Sequence, residues 1–447
     1  MASPLLALLR SVFVLGYGLF TMGVYFVVAL YHGYQFRRTT EKEKMELQLA
    51  HHLQAIRLTF VRQAHNRLWD LSRKCWGVWR HILSEESLQS SATLVAVDLP
   101  GYGGSESLDR YSATAVLENL TEFIIAMRKK YGIDGPIATR QQRTIIIGHD
   151  WGCVLAMRLA ADAPQLADRF ILTNGPLIPL AVSNISIRLS SLVYMLRCFL
   201  RSPVRERSLL FNAAKSLKPI LFQLWRSGYI FAFQLPPLLI AYIGNGANQA
   251  TLKHIHKMSY GNRNYTPTDA AECMASTLGP SIHERMTQTA DGQAYAESAV
   301  TRPAISKFVE MCSYYRDGTA TAPWKKSTET VTSLCGIAEE NGARCIDSDA
   351  RILDDGPPGA LKASTTVVWG QKDHALTREL CLDGISDYLP QRSQVVELPV
   401  SAHWTPMELE GRVALVKVAE WAVNGEREDI GAVVETCYPE ATVTVQK

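Results

Sequence analysis

The chain has no CxxC pair and no Cys/His spacing suited to a metal, although it contains nine cysteines. A zinc module and a thioredoxin-like redox centre are therefore excluded. Scattered and odd in number, the cysteines are expected to be free thiols in a reducing compartment. An excess of one charge is also missing: a formal net charge of +3 with 20% charged residues gives no electrostatic footprint for nucleic acid. No nucleic-acid partner, cofactor or metal is expected, and there is no internal repeat to suggest a solenoid.

What the chain does have, close to its start, is a long uncharged run. Ser11 to Tyr31 spans 21 residues, which as a helix is about 31 Å long, the thickness of a bilayer hydrocarbon core. A cleaved signal would need a small-x-small site after the run, and YHGYQF offers none. The run is read as a single N-terminal transmembrane helix, with membrane lipid as its partner. Only Arg10 precedes it closely, whereas Arg37, Arg38, Lys42 and Lys44 follow, so the positive-inside rule places the rest of the chain in the cytosol. The expected location is a membrane, the endoplasmic reticulum, with the catalytic domain facing the cytosol. The sequons at Asn119, Asn184 and Asn264 would matter only on the luminal side.

A chain of 447 residues is long enough for a large core with an inserted cap, or for two domains. The anchor occupies 1–38, and 39–75 reads as a helical or irregular stalk. From Ala92, ATLVAVDLP is an apolar run stopped by Pro100 and read as a buried strand, followed by a helix from Ala113 to Tyr131. Further strands are expected at Thr144 to Ile147, in RFILTN, at 364–370 and at 393–399. Alternation of strand and helix predicts an α/β fold with a mainly parallel central sheet. The core is assigned to 76–180 and 363–425, a helical cap to 181–325, a surface loop to 326–362 and a loose tail to 426–447. The apolar run from Tyr229 to Gly244 is short and holds Pro236-Pro237, so it suits a greasy cap helix better than a second span.

Gly148-His149-Asp150-Trp151-Gly152 lies between a strand and a helix, where small flanking residues permit the sharp turn that presents a nucleophile. A carboxylate at its centre attacks saturated carbon to form an ester, chemistry suited to an epoxide or a carbon–halogen bond. By the alternative reading Asp150 simply caps the following helix. Two further residues bear on the choice. Asp373, in WGQKDHAL, and His403, in SAHWTPME, each follow a predicted strand and complete the order nucleophile, acid, histidine.

With DLPGYGGS, GHDWG, WGQKD and AHWTPME in this order, the chain from about Trp76 to Val423 resembles the epoxide hydrolase branch of the α/β-hydrolase superfamily. The resemblance implies an α/β-hydrolase fold with a helical cap, and hydrolysis of a lipophilic small-molecule epoxide to a vicinal diol. It assigns Asp150 as nucleophile and His403, backed by Asp373, as the base that activates water. The Trp151 N–H becomes an oxyanion-hole donor. Two cap tyrosines would protonate the opening ring: Tyr229 in RSGYIFAFQLP, where Gly228 stands in place of a frequent Trp, and Tyr315 in CSYYRDG. Haloalkane dehalogenation is a rival that the same elbow allows, with Trp151 on the halide. One departure is large. The family's His-Gly-x-Pro, which supplies the second oxyanion donor, would fall near Asp70-Leu71-Ser72-Arg73, and no apolar strand precedes it. Early strands and half the oxyanion hole are thus missing from the pattern, which leaves a catalytically impaired hydrolase-like protein as a further reading.

Overall fold

The computed structural model describes residues 4–31, 75–102, 105–133, 142–244, 308–340 and 356–447. The expected stalk, except for its last residue Cys75, and the Asp70 to Arg73 stretch lie outside the described residues. The chain divides into two compact units, Met1–Ser112 with Gly228–Thr319, and Ala113–Ser227 with Ala320–Lys447.

The second unit holds a five-stranded sheet in the order β1 (Ile145–His149), β2 (Arg169–Thr173), β3 (Thr365–Gly370), β4 (Gln394–Leu398), β5 (Thr442–Gln446). The first four strands are parallel, with Ile147 opposite Ile171, Leu172 opposite Val367 and Val368 opposite Val396. Strands of Ile, Val, Leu and Thr buried on both faces suit a parallel sheet between helices. β2, β3 and β4 are buried along their whole length. The helices Trp151–Asp162 and Leu409–Val423 bring Leu155, Leu159, Leu415 and Val418 into the core of this unit.

Two expectations are corrected here. Ala92–Leu99 forms no strand and belongs to the other unit; Thr93 and Val95 are exposed, Asp98 is buried and the rest are partly buried. Composition suited to a strand is only a weak preference, which the surroundings of a segment override. Residues 426–447 are not a loose tail. They form a short helix, Ile430–Glu435, and then β5, which pairs antiparallel with β4. Within the expected surface loop, Thr328–Glu340 is a helix tied to the helix Ala113–Lys130, with Trp324 and Thr330 both donating to Glu118.

The start of that tail is fixed by an ion cluster that sequence reading missed. Arg169, fully buried in β2, donates from Nε and Nη2 to Glu426 and from Nη1 to Thr366 and Gln394, and its guanidinium lies 4.9 Å from the Trp421 ring. Arg143 and Arg392 also reach Glu426. Because a buried guanidinium must fill its donors, one side chain here ties three strands to the segment after the last long helix.

In the first unit the N-terminal helix, Pro4–Tyr31, packs on the short helix Gly228–Ala232. The Phe231 ring meets Tyr17 and Phe13 edge-on at 4.9 and 5.9 Å. Leu8–Val28 is long and apolar enough to cross a membrane, and Leu8, Val12 and Phe20 are exposed on it.

Cys153, Cys198, Cys312, Cys381 and Cys437 are free thiols. Cys335 is instead disulfide-bonded. This corrects the expectation that all are free, because a disulfide requires only that two Cα atoms come within about 6 Å, which scattered spacing does not reveal.

Candidate active site

Asp150 follows β1 directly, with φ +51 and ψ −117, in the left-handed half of backbone space where a side chain is strained. A Cβ on Gly148 would sit 2.6 Å from the Gly152 carbonyl oxygen, and one on Gly175 would sit 2.5 Å from Cys153 Cβ. Those two glycines let strand, elbow and helix cross closely. Gly152 faces open space, so the second elbow glycine is not sterically required. The Asp150 side chain remains 39% exposed, and the Trp151 N–H donates to its carboxylate. Burial pushes that carboxyl above its ordinary range, against the pull of His403 and of this N–H. The side chain does not make the hydrogen bond of an N-cap residue; the N–H it accepts from is that of the adjacent Trp151, which does not support the capping reading.

His403 lies on the loop after β4, and its Nδ1 is 2.9 Å from Asp373 Oδ2. Its Nε2 is 3.9 Å from Asp150 Oδ1, beyond direct hydrogen bonding. Asp373, on the loop after β3, is buried and fully engaged: Oδ1 accepts from the N–H groups of Ala375 and Leu376, and Oδ2 from Asn174 and His403. Burial raises its pKa, but the His403 charge and these hydrogen bonds outweigh that and hold it low. Burial also works against a charged His403, yet Asp373 first, then Asp150 and Glu408, push its pKa up to about 9. The three residues that motif order put forward are therefore brought together in one unit.

Four supporting residues were not singled out from the sequence. Asn174, at φ +42, donates to Asp373 and accepts from the Thr405 hydroxyl at 2.6 Å, linking the acid to the histidine loop. His149, in the elbow itself, bonds through Nε2 to the His403 carbonyl at 2.8 Å. Burial and the nearby His403 lower its pKa to about 3, so it stays neutral and donates. Glu408 accepts from the N–H groups of Ala402 and Trp404, and burial raises its carboxyl to about 7. The ME of AHWTPME was the available signal for Glu408, whereas Asn174 has none beyond a polar residue next to a strand and Thr405 none beyond its place in the same motif.

Tyr229 and Tyr315 belong to the other unit, where they form an edge-to-face pair at 5.9 Å. Phe233 packs against both, and Gln234 Nε2 donates to the Tyr315 carbonyl. Tyr314 is buried and donates its hydroxyl to the Pro100 carbonyl. Among the described residues no group of His, Cys, Asp and Glu is placed to hold a metal ion.

The sequence profile of the Alpha/beta hydrolase family matches residues 68–414. Epoxide hydrolase 3 of Mus musculus is 22% identical over 334 residues, covering 74% of this chain and 63% of the relative, so the chain spans less than two thirds of that protein's length. Epoxide hydrolase 3 of Xenopus tropicalis is 30% identical over 104 residues, 23% of this chain and 24% of the relative. Among solved structures, an epoxide hydrolase of Bacillus megaterium in complex with an inhibitor is similar over 79% of this chain and 89% of that one, at 17% identity and a TM-score of 0.41.

Proposed function

The chain belongs to the Alpha/beta hydrolase family, and on that footing we propose that it hydrolyses a lipophilic epoxide to a vicinal diol through an ester on Asp150. The observation that carries this reading is a strained elbow carboxylate beside a His–Asp pair, with His403 Nε2 at 3.9 Å from Asp150 Oδ1. Asp150 attacks a ring carbon, the carbon–oxygen bond breaks toward oxygen, and by the family resemblance the phenols of Tyr229 and Tyr315 receive the developing alkoxide and protonate it. Nε2 of His403 then removes a proton from water, and the hydroxide adds to the ester carbonyl carbon. The Trp151 N–H, already on this carboxylate, faces the tetrahedral oxyanion. Collapse expels the diol oxygen, which takes the proton from His403, and the proton of the Asp150 carboxylic acid so formed returns to the phenolate, restoring the Asp150 carboxylate.

Timing follows from charge. The Asp150 anion is one of the groups that raise the His403 pKa. Esterification removes that anion, so His403 becomes a stronger candidate for the neutral base only after the first step. Two phenols side by side favour an epoxide over a carbon–halogen bond, whose leaving halide needs no proton.

A single turnover in 18O-labelled water tests the route. The label is expected in the Asp150 carboxylate, because the oxygen entering the diol comes from the aspartate. Label found only in the diol would exclude an aspartyl ester.

The N-terminal helix is taken as the membrane anchor with the catalytic domain in the cytosol. The Cys335 disulfide argues for the opposite side. Asn119 is exposed on its helix, whereas the Asn184 amide is engaged by the Leu380 and Asp383 carbonyls. Glycosylation of Asn119 during insertion into microsomes would overturn the cytosolic orientation.

A further inference from the structure

Residues 178–226 form a helical hairpin, Ile178–Arg201 and Arg207–Arg226, whose base is tied to the rest of its unit. Asn184 donates to the Leu380 and Asp383 carbonyls, and Arg188 pairs with Asp383 at 2.9 Å. At the other end of the hairpin's path, Gln223 donates to the Ala375 carbonyl and Arg226 to that of Leu376. Away from this base the apolar side chains are uncovered, with Leu200 73% exposed, Val204 79% and Phe211 77%, and beside the base Trp225 is 62% exposed.

Charge is segregated on the same element. Between Ile178 and Arg226 the chain carries eight Lys or Arg and one acidic residue, Glu206, whereas the whole protein has 46 basic and 43 acidic residues. On the second helix Arg207, Phe211, Lys215, Lys218, Phe222 and Trp225 recur at helical spacing, all exposed, and Lys218 lies over the Phe222 ring at 5.5 Å. Exposed aromatics interleaved with basic side chains suit a surface whose outer layer is anionic and whose interior is apolar.

We propose that this hairpin docks on an anionic lipid surface, its aromatic side chains entering the acyl boundary and its lysines and arginines meeting lipid headgroups. It is a surface contact and not a second span. Ile178–Arg201 has the length and apolarity of a span, but Arg188 and Asn184 pin its first half to the end of the short helix Arg378–Cys381 and to Asp383 just after it. The contact is independent of the chemistry at Asp150. Because Asp373 accepts from the same Ala375 and Leu376 backbone that the hairpin base holds through its carbonyls, the docked element is also joined to the loop of the catalytic acid.

The test uses the full chain in vesicles of phosphatidylcholine with or without phosphatidylserine, both carrying a photoactivatable acyl chain, with labelled peptides mapped by mass spectrometry. The expected result is labelling of peptides from 200–226 that requires phosphatidylserine. The combined substitutions Arg207→Glu, Lys215→Glu and Lys218→Glu should cut it about tenfold or more, since each basic residue near an anionic surface contributes about a fivefold factor. Unchanged circular dichroism shows that the variant is folded. Absence of hairpin labelling, with or without labelling of residues 4–31, overturns the proposal. So does equal labelling in pure phosphatidylcholine, and so do cross-links from the hairpin to a second copy of the chain in place of lipid.

Discussion

Thr21 occupies the space that a side chain on Gly228 would need, with its Cγ2 2.9 Å from the position of a Cβ there. Three residues earlier on the same helix, a Cβ on Gly18 would come within 2.6 Å of the Phe231 carbonyl oxygen. The backbone of Tyr229 also hydrogen-bonds the Tyr25 hydroxyl. The N-terminal helix is thus packed against the segment that carries a proposed ring-opening tyrosine. Read from the sequence alone, the anchor stands apart from the catalytic residues and its removal should leave activity intact. The contact changes that expectation, and it accounts for Gly at a position where the family often has Trp.

Deleting residues 1–38 should therefore slow ring opening as well as turn an integral attachment into a peripheral one that alkaline carbonate extracts. Gly18→Leu in the full chain is the cleaner variant, since overpacking costs about 1–3 kcal/mol and leaves the tether in place. Stopped-flow measurement of alkylation should show a slower first step and an unchanged second step. Wild-type alkylation rates in both variants would show that the helix is only a tether.

His403→Gln should allow attack and stall ester hydrolysis, so that intact-mass spectrometry finds the substrate's mass added to the protein. Asp150→Ala should form no adduct. Asp373→Asn should slow the second step on the order of 10,000-fold, because the amide disfavours the tautomer with Nδ1–H facing it. Normal turnover by His403→Gln would remove this histidine from the mechanism.

The pH dependence should differ between the two steps. Free protein holds His403 near a pKa of about 9, raised in part by Asp150 and Glu408. Once Asp150 is an ester its charge no longer contributes, so ester hydrolysis should rise with pH through a value below 9. Glu408→Gln should lower that value further. Single-turnover decay of the adduct, followed from acid to alkaline pH, gives the inflection directly, and an inflection unmoved by the Glu408 substitution would exclude that carboxylate's influence.

Stability should depend on the Arg169–Glu426 cluster. Removing one partner of a buried pair leaves the other uncompensated, so Glu426→Ala should cost about 3–5 kcal/mol in urea unfolding at neutral pH. Burial works against the Glu426 anion, but hydrogen bonds from Arg169 and Arg143 outweigh it and depress the carboxyl pKa below its ordinary 4.5. A carboxylate depressed in the folded state contributes stability above its unfolded pKa and loses it as pH falls through the folded value. The gap between wild type and Glu426→Ala should accordingly narrow below about pH 4.5. A gap that is constant from neutral to acid pH would show that the cluster's charge is not what matters.

What was legible in the sequence had a local signature. Runs such as TIIIGH, RFILT and TTVVWG are apolar, short and followed by turns, and each became a strand, with Asp150 just beyond the first and Asp373 just beyond the third. The partners of those residues are not local. Asn174 reaches Asp373 across 199 positions and Arg169 reaches Glu426 across 257, so neither pattern nor propensity announces them. β5 escaped notice because TVTVQ is an edge strand with exposed threonines, the composition of a solvated tail. The opposite failure is ATLVAVDLP, which has strand-like composition but is not a strand among the described residues.

The missing His-Gly-x-Pro bears on the second chemical step. Among the described residues the sheet begins at β1, and Ile145, Ile146 and Ile147 are only partly buried there, whereas β2, β3 and β4 are buried throughout. The Trp151 N–H meets the Asp150 carboxylate, and the sequence at Asp70-Leu71-Ser72-Arg73 has neither the Gly nor the Pro of the family's second donor. Loss of one preorganised donor costs about 3–4 kcal/mol, roughly 100- to 1000-fold in rate. Turnover should therefore be weak and limited by ester hydrolysis, with adduct accumulating even in the wild-type chain. Inserting a strand segment ending in His-Gly-Phe-Pro before Trp76 should speed adduct decay by roughly 100-fold or more and raise the melting temperature, since a paired edge buries more apolar surface. Rapid turnover by the unmodified chain, with no adduct detectable in the steady state, would mean that residues 39–75 supply the donor by another route.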